Sequence, residues 1–438
     1  MDFLLPRLFL DEFSAPAWQK NLTLGASNIG SIITACIAFI IYYNKPSWDE
    51  PRHYKKILLT GLLSGLAGMA LTVFAIQSHS VWTLFWARWF LGVGFTLVNI
   101  ALLPIIFATQ DSHFHAFWVF FILGFSSLGR FIAYPVTYFS MTPEVYESKV
   151  NPNIVGHFYL ALCCITLITI FLISSRSLHL TGFIHNPGQK IRLGYFFTPS
   201  VITGIIGASL LVSFEFFITG RSELLLHNQL TSYGEILALA SGLAIVTGNM
   251  VVGRFSISLK LSHLPFSFKN IFIFLIPLSI IFFISWFLII MDTPFQIILL
   301  NLIIFFIFLL ILYFSPTNYL HIYNILILSL IIQYFITYIL LKGTTFEAAS
   351  LFSSSLFRSV LWPGLVLMIF QSTNHSRLAL SSLLSISSGT RVLLNIPDNF
   401  IKTNYIFSDA GYLFVIAICF YYLWVGNSNR NLFKSISE

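Results

Sequence analysis

The sequence predicts an all-α, polytopic membrane protein. Of its 438 residues, 57% are hydrophobic and only 9% are charged, whereas a soluble domain carries roughly a quarter charged residues. Apolar runs of about twenty residues, the length that crosses a bilayer as a helix, recur from residue 24 to residue 426. The short alternating strands of a membrane barrel are absent from this pattern. Composition and periodicity therefore both favour a bundle of membrane-spanning helices.

The hydropathy pattern predicts thirteen spans, within an expected range of twelve to fourteen. They lie near residues 24–44, 56–77, 83–107, 115–140, 156–175, 197–219, 232–254, 270–291, 295–314, 319–341, 349–371, 376–396 and 404–426. Only the sequence MDTP separates the eighth span from the ninth. The apolar block that contains these two spans can therefore also be divided differently.

The distribution of Lys and Arg predicts the orientation of the chain. If the loop NKPSWDEPRHYKK faces the cytoplasm, thirteen basic residues lie inside and six outside, which satisfies the positive-inside rule. The C-terminus is then cytoplasmic. Because loop charges facing the membrane surface explain the basic character of the chain, no nucleic-acid partner is expected.

An odd number of spans places the N-terminus outside. The first twenty residues are interrupted by Arg7, Asp11 and Glu12, so they are too polar for a span and too acidic for a signal peptide. This segment is expected to be an amphipathic surface segment, or else a first helix is missing upstream.

A polar, basic segment at 176–195 is the clearest internal divider. It contains Gly and Pro and lies between five spans and eight, as expected for a central cytoplasmic loop. The predicted domains are therefore an N-terminal helical bundle at 1–175, with its first helix short or missing, and a C-terminal bundle at 196–438.

Arg88 lies in the middle of the third span, where a charge costs roughly 2.5–3.5 kcal/mol on insertion scales. Gly92 and Gly94 follow it and allow a neighbouring helix or a ligand to approach closely. One interpretation is a cavity arginine that binds a carboxylate or couples to proton movement. The alternative is an arginine that binds neighbouring carbonyl groups and only locks helices together.

Glu215 lies within the sixth span between phenylalanines, a position from which a carboxyl group can carry a proton. The alternative is a glutamate close enough to the outer interface to reach water. Arg130 and Arg358 also fall within or at the edge of spans, and Arg358 can alternatively reach an interface. Because Glu215 is the clearest acid at span depth, the excess of arginine favours an anionic ligand.

The region around Arg88 resembles the fourth helix of the major facilitator superfamily. That helix carries a leucine, an arginine four residues later and Gly-x-Gly four residues after that, and Leu84, Arg88, Gly92 and Gly94 have this spacing in TLFWARWFLGVG. The preceding span resembles the Gly/Ala-rich third helix. The resemblance implies two helical bundles around a central cavity that opens alternately to each side.

Other segments are similar to the drug/proton antiporter branch of the same superfamily. Gly253 and Arg254 end a polar and Gly/Ala/Asn-rich region, as the eighth helix of that branch does. In the superfamily, the loop between the second and third helices carries a gating motif with two glycines. The corresponding loop here, before the span predicted at 56–77, keeps Asp49 and Arg52 but lacks both glycines, so this motif is degenerate. The resemblance therefore assigns helix-packing or gating roles to six residues, which are Asp49, Arg52, Gly92, Gly94, Gly253 and Arg254.

The resemblance implies a secondary active transporter and not an enzyme. The proton gradient would drive efflux of a small organic molecule such as a drug, a metabolite or a siderophore, with no cofactor and no metal. Arg88 would hold the substrate or the deprotonated partner, protonation of Glu215 would bias one state, and Arg130 and Arg358 would assist. The resemblance also implies a location in a bacterial inner membrane, and the expected protein is a monomer in contact with membrane lipid.

Two other functions are consistent with the sequence. A membrane-embedded haem or metal protein would use histidines, which are common ligands. The candidates are His113, His115, His157 and His321. A facilitator that has lost transport would explain the degenerate loop.

Overall fold

Every regular element in the described part of the structure, a computed structural model, is a helix. The structure describes residues 13–45, 48, 51–109, 115, 118–119, 121–122, 152–175, 194, 198–229, 319–344, 347, 350–351, 354–358, 361–371, 377–388 and 409–428. The predicted all-α fold class is confirmed. The central loop predicted at 176–195 lies outside these residues apart from Gly194, so the predicted domain boundaries stay a prediction.

The helices are numbered in chain order. They are α1 (Ala17–Asn44), α2 (Pro51–Ser78), α3 (Val81–Thr109), α4 (Pro152–Ser175), α5 (Pro199–Gln229), α6 (Tyr319–Ile336), α7 (Ser355–Arg358), α8 (Leu361–Gln371), α9 (Arg377–Ser388) and α10 (Asp409–Ser428). A π-helical turn, Thr337–Leu341, continues α6.

Six of the described helices are long and apolar enough to cross a membrane. Their apolar stretches are Trp18–Asn44, His53–Ser78, Val81–Phe107, Val155–Ser175, Tyr323–Leu341 and Asp409–Ser428. Shorter apolar helices occupy Pro199–Glu215 and Arg377–Ser387. The protein is therefore a multi-pass membrane protein. The spans predicted near 232–254, 270–291 and 295–314 lie outside the described residues, as does most of 115–140, and the count of thirteen stays a prediction.

Proline sets the start of several helices. Pro51, Pro152 and Pro199 are the first residues of α2, α4 and α5, and Pro16 directly precedes α1. The first backbone N–H groups of a helix have no partner within the helix, so a residue that lacks this group is tolerated there. Pro104, by contrast, lies inside α3.

The chain divides into two compact units. The first comprises Met1–Asp111, Pro135–Thr198 and Thr373–Ile396, and the second comprises Ser112–Tyr134, Pro199–Ser372 and Pro397–Glu438. In the first unit, α3 packs against α1 and α2, and α4 packs against α2. The late helix α9 also belongs to this unit and packs against α1 and α3.

Exposed apolar side chains in the first unit indicate contact with lipid. Ile168, Phe171 and Leu172 of α4 are all largely exposed. Such a surface is costly in water and favourable in a hydrocarbon environment. Trp82 and Trp86 of α3 are exposed as well, as expected for aromatic residues near the lipid interface.

In the second unit, α5 packs against α8 and α10, and α6 packs against α7 and α10. Two tyrosines of α10 bind the backbone of α5. The Tyr422 hydroxyl donates to the carbonyl of Gly207 at 2.5 Å, and the Tyr421 hydroxyl donates to the carbonyl of Thr203 at 2.7 Å. Because these hydroxyls lie among apolar helices, the bonds satisfy donors that lipid would leave unpaired.

Candidate functional site

The side chain of Arg88 crosses from α3 to the backbone of α1. Its Nε donates to the carbonyl oxygen of Thr23 at 2.9 Å, and its Nη2 donates to the carbonyl of Leu24 at 3.0 Å and the hydroxyl of Ser27 at 3.3 Å. The residue is only 4% exposed. Arg88 therefore links α3 to α1 through backbone carbonyl groups. This geometry matches the alternative interpretation of the sequence, in which the arginine only locks helices together. A role in binding substrate stays a prediction.

The two glycines after Arg88 lie where helices approach most closely. A Cβ atom at Gly92 would clash with the backbone of Ser27 on α1, and one at Gly94 would lie 2.6 Å from the backbone nitrogen of Gly65 on α2. The hydroxyl of Ser31 also donates to the carbonyl of Gly92 at 3.1 Å. Gly92 thus allows α3 to pack closely against α1, and Gly94 allows it to pack closely against α2.

A partly buried ion pair joins α5 to α7 in the second unit. Nη1 of Arg358 donates to Oε2 of Glu215 at 2.6 Å. The Arg358 side chain is 5% exposed and the Glu215 side chain is 26% exposed. Two residues singled out separately in the sequence are therefore partners, although 143 positions separate them. The glutamate is the more open member of the pair.

Aromatic rings and hydroxyl groups surround this pair. The guanidinium carbon of Arg358 lies 5.9 Å from the ring centre of Phe214, which packs edge-on against Tyr334 at 5.6 Å. The Tyr334 hydroxyl donates to the hydroxyl of Ser354 at 2.8 Å. Helices α5, α6 and α7 therefore meet here around an arginine, a carboxylate and two aromatic rings.

The π-helical turn of α6 begins beside this cluster. The hydroxyls of Thr337 and Ser350 lie 2.6 Å apart, and the amide nitrogen of Gln333 donates to the carbonyl of Ser350 at 2.8 Å. A π-turn widens a helix locally and is frequent at functional positions. Polar side chains thus continue from the ion pair along one side of α6.

A fully buried carboxylate, Glu347, was not singled out by the sequence. Its Oε1 accepts bonds from Nε of Arg221 at 2.7 Å and from the Tyr412 hydroxyl at 2.5 Å, and its Oε2 accepts from the backbone N–H of Gly343 at 2.6 Å. Glu347 is 0% exposed. It therefore connects α5, the end of the π-turn and α10, with hydrogen bonds to both oxygens.

The remaining predicted residues are only partly described. Arg52 lies in the first turn of α2, while Asp49, Arg130, Gly253 and Arg254 lie outside the described residues, so their roles stay predictions.

The histidines of the haem or metal alternative are also only partly described. His157 is exposed on α4, and His321 lies on α6. His113 lies outside the described residues. Among the residues with a described position, no three His, Cys, Asp or Glu side chains are grouped closely enough to hold a metal ion.

Comparison with solved structures identifies the fold. The fucose:proton symporter of E. coli superimposes with a TM-score of 0.60 at 12% identity, over 96% of this chain and 93% of that chain. An outward conformation of a Major Facilitator Superfamily transporter, FucP, gives 0.61 at 14% identity, over 98% and 94%. The human organic anion transporter MFSD10 gives 0.53 at 12% identity, over 95% and 87%.

No protein-family model matches the sequence, and no curated protein matches it. The structural similarity therefore shows the fold alone: the chain has the helical fold of major facilitator transporters. This agrees with the superfamily resemblance of the Arg88 region. The finer resemblance to drug/proton antiporters stays a prediction.

Proposed function

We propose that the protein is a secondary active transporter that couples the movement of a small organic molecule to the proton gradient by alternating access. The observation that carries this proposal is the ion pair between Glu215 and Arg358. It lies in a protein with a transporter fold, and charged groups placed between membrane helices are expensive and commonly functional.

The different exposure of Glu347 and Glu215 supports a role in proton exchange for Glu215. Glu347 is fully enclosed and accepts three hydrogen bonds, so its role is structural. Glu215 is about a quarter exposed and bonds to the arginine of a neighbouring helix. A proton that reaches Glu215 neutralises one side of this ion pair and weakens a link between α5 and α7.

Transport requires two conformational states, and protonation of the ion pair between α5 and α7 changes the balance between them. The deprotonated pair stabilises one arrangement of α5 and α7, and the protonated pair stabilises it less. A ligand or proton shifts a conformational equilibrium by its difference in affinity for the two states. Glu215 is therefore the proposed proton carrier, and Arg358 is its electrostatic partner.

Arg88 has a different role in this proposal. Because it bonds to the backbone of α1, it keeps the first unit rigid while the transporter changes state. Transport by rocking of bundles needs bundles that move as units. The location in a bacterial inner membrane with a cytoplasmic C-terminus, and the efflux direction implied by the antiporter resemblance, remain predictions.

The test is transport by purified protein in liposomes that contain a pH-sensitive dye. A panel of labelled drugs, amino acids, organic acids and siderophores is offered with a pH gradient of either direction. Movement of a compound together with protons supports the proposal, and its direction distinguishes uptake from efflux. If a folded protein moves neither protons nor any compound under either gradient, the proposal is wrong.

A further inference from the structure

We infer that the end of the first unit at which α1 is followed by α2 binds the headgroups of anionic phospholipids. This basic surface comprises Lys45, Trp48, His53, Lys55 and Lys56. The inference goes beyond the proposed function, because it concerns the contact of the first unit with the surrounding bilayer. It depends on the position of the lysines relative to exposed apolar side chains, on the packing of Trp48 and on the balance of charge.

On α1, a line of exposed isoleucines ends at a lysine. Ile33, Ile37 and Ile40 are exposed and lie on one side of the helix, because residues three and four positions apart are neighbours on a helix surface. Lys45 directly follows the last residue of α1 and is exposed as well. At 1.5 Å per residue, the line is about 17 Å long, close to the roughly 15 Å of one hydrocarbon leaflet. A lipid that covers the isoleucines therefore brings its headgroup to Lys45.

On α2, the same arrangement occurs in the opposite chain direction. Lys56, Thr60, Leu63 and Phe74 are exposed and follow one another at helical spacings along one side of the helix. Lys56 is the member of this line nearest to the start of α2. The apolar part of the line suits acyl chains, and the ammonium group at its end suits a negatively charged headgroup.

Lys55 connects the basic surface to a third lipid-exposed helix. Its Nζ donates to the carbonyl oxygen of Ser174, in the last turn of α4, at 2.9 Å. The last carbonyl groups of a helix have no partner within the helix and form the negative end of its dipole, so this contact is favourable. The exposed side chains of Ile168, Phe171 and Leu172 on α4 therefore also end beside the basic surface.

The packing of Trp48 indicates the depth of this surface in the membrane. The Trp48 ring is exposed and stacks on the imidazole of His53 with the ring centres 5.2 Å apart. Nζ of Lys45 lies 5.9 Å from the centre of the same indole ring. Tryptophan is enriched at the boundary between the hydrocarbon region and the headgroups. These contacts therefore hold Lys45 beside a residue that favours headgroup depth.

The charge of this segment favours a lipid with a net negative headgroup. Residues 44–56 contain four Lys and Arg side chains against two carboxylates, Asp49 and Glu50, and these two acids lie outside the described residues. Basic residues near a membrane surface attract anionic lipids. A free anion would satisfy the lysines alone, whereas a diacyl lipid also covers the apolar faces of α1, α2 and α4. The surface therefore fits an anionic phospholipid such as phosphatidylglycerol.

Thermal unfolding of the full-length protein in detergent micelles with added lipid tests this inference. The probe is dioleoylphosphatidylglycerol, compared with dioleoylphosphatidylcholine, which has the same acyl chains and no net charge. A ligand that binds the folded state raises its apparent stability. We expect phosphatidylglycerol to raise the melting temperature more than phosphatidylcholine does. This difference should shrink in about 1 M salt, where the Debye length falls to about 3 Å, and soluble glycerol phosphate should have no effect.

A paired substitution of the two exposed lysines provides the decisive comparison. Lys45→Gln/Lys56→Gln is expected to weaken the affinity for phosphatidylglycerol about fivefold for each lysine. The affinity is read from the lipid fraction that gives half of the shift in melting temperature. Lys45→Arg/Lys56→Arg keeps both charges and is expected to keep the preference for the anionic lipid.

Lys20→Gln/Lys342→Gln is the matched control, because it removes the same charge elsewhere. Lys20 lies near the start of α1, at the other end of that helix, and Lys342 pairs with Asp409 in the second unit. This variant is expected to prefer phosphatidylglycerol as strongly as the wild type does.

Four results would overturn the inference. They are equal stabilisation of the wild type by the two lipids, a preference that survives in Lys45→Gln/Lys56→Gln, an equal loss of preference in the control variant, and stabilisation by glycerol phosphate as strong as that by phosphatidylglycerol. The last result would indicate a site for a free anion. None of them concerns the ion pair of Glu215 and Arg358, so the liposome assay tests the proposed transport function independently.

Discussion

Arg358 of α7 donates a 2.6 Å hydrogen bond to Glu215 of α5, with the arginine more deeply buried than the glutamate. Because the two side chains are unequally buried, removal of Glu215 and removal of Arg358 are expected to lower the free energy of unfolding by different amounts. Removal of Arg358 leaves a carboxylate that is about a quarter exposed to solvent, whereas removal of Glu215 leaves a guanidinium charge that is only 5% exposed.

A double-mutant cycle measures this asymmetry. Glu215→Gln is expected to lower the free energy of unfolding more than Arg358→Gln, because the first leaves a buried charge. The double variant should lose less than the sum of the two single losses, with an interaction energy of about 0.5–3 kcal/mol. Denaturant unfolding in detergent provides the measurement. Additive losses would show that the pair does not interact in the folded protein.

Arg88→Ala is expected to destabilise the first unit. The variant removes charged hydrogen bonds to the backbone of α1, and such bonds contribute about 1.5–3 kcal/mol each. Arg88→Lys should recover only part of this loss, because an ammonium group lacks the fork of a guanidinium. Thermal unfolding of the purified proteins checks the expected order of stability, in which the wild type is most stable, Arg88→Lys is intermediate and Arg88→Ala is least stable. Unchanged stability together with lost substrate binding would instead support the cavity interpretation of Arg88.

Gly92→Ala tests the close approach of α3 to α1. A methyl group would clash with the backbone of Ser27, and overpacking typically costs about 1–3 kcal/mol. Gly65→Ala on α2 is the matched control, because no atom lies within 4 Å of a Cβ added there. Alanine favours helix by about 1 kcal/mol over glycine, so the control should be neutral or more stable. Equal effects of the two substitutions on the melting temperature would contradict this packing.

Glu347→Gln tests the structural role of the buried pair between Glu347 and Arg221. The change leaves Arg221 charged and buried, and breaking a buried pair costs about 3–5 kcal/mol. Asp409→Asn in the more exposed pair with Lys342 should cost at most about 1 kcal/mol. Unfolding of both variants in parallel gives the comparison. A Glu347→Gln protein as stable as Asp409→Asn would show that the buried network does not hold the helices together.

Sequence reasoning predicted the features that depend on local pattern. The membrane-spanning segments follow from apolar runs, and Arg88, Glu215 and Arg358 are candidates because each is a charged residue within or at the edge of such a run. The pairing of the last two could not be predicted, because hydropathy does not encode which distant helices meet.

Glu347 and Arg221 were missed for a related reason. Arg221 lies just beyond the end of the span predicted at 197–219, and Glu347 lies just before the span predicted at 349–371. Their 2.7 Å contact bridges 126 positions of sequence. A charge near a span end is usually interfacial, so only the packing of α5 beside the turn after α6 reveals that these two residues are buried. The Gly343 N–H bond to Glu347 was likewise invisible in the sequence.

The most direct test of the central claim is proton-coupled flux in liposomes that contain wild-type protein or Glu215→Gln. The substrate is a compound that the wild type accumulates under a pH gradient, and Asp409→Asn is the control. We predict that Glu215→Gln binds the substrate but neither accumulates it under the gradient nor moves protons with it, while the control transports normally. Undiminished gradient-driven accumulation by a folded Glu215→Gln protein would contradict the assignment of Glu215 as the proton carrier.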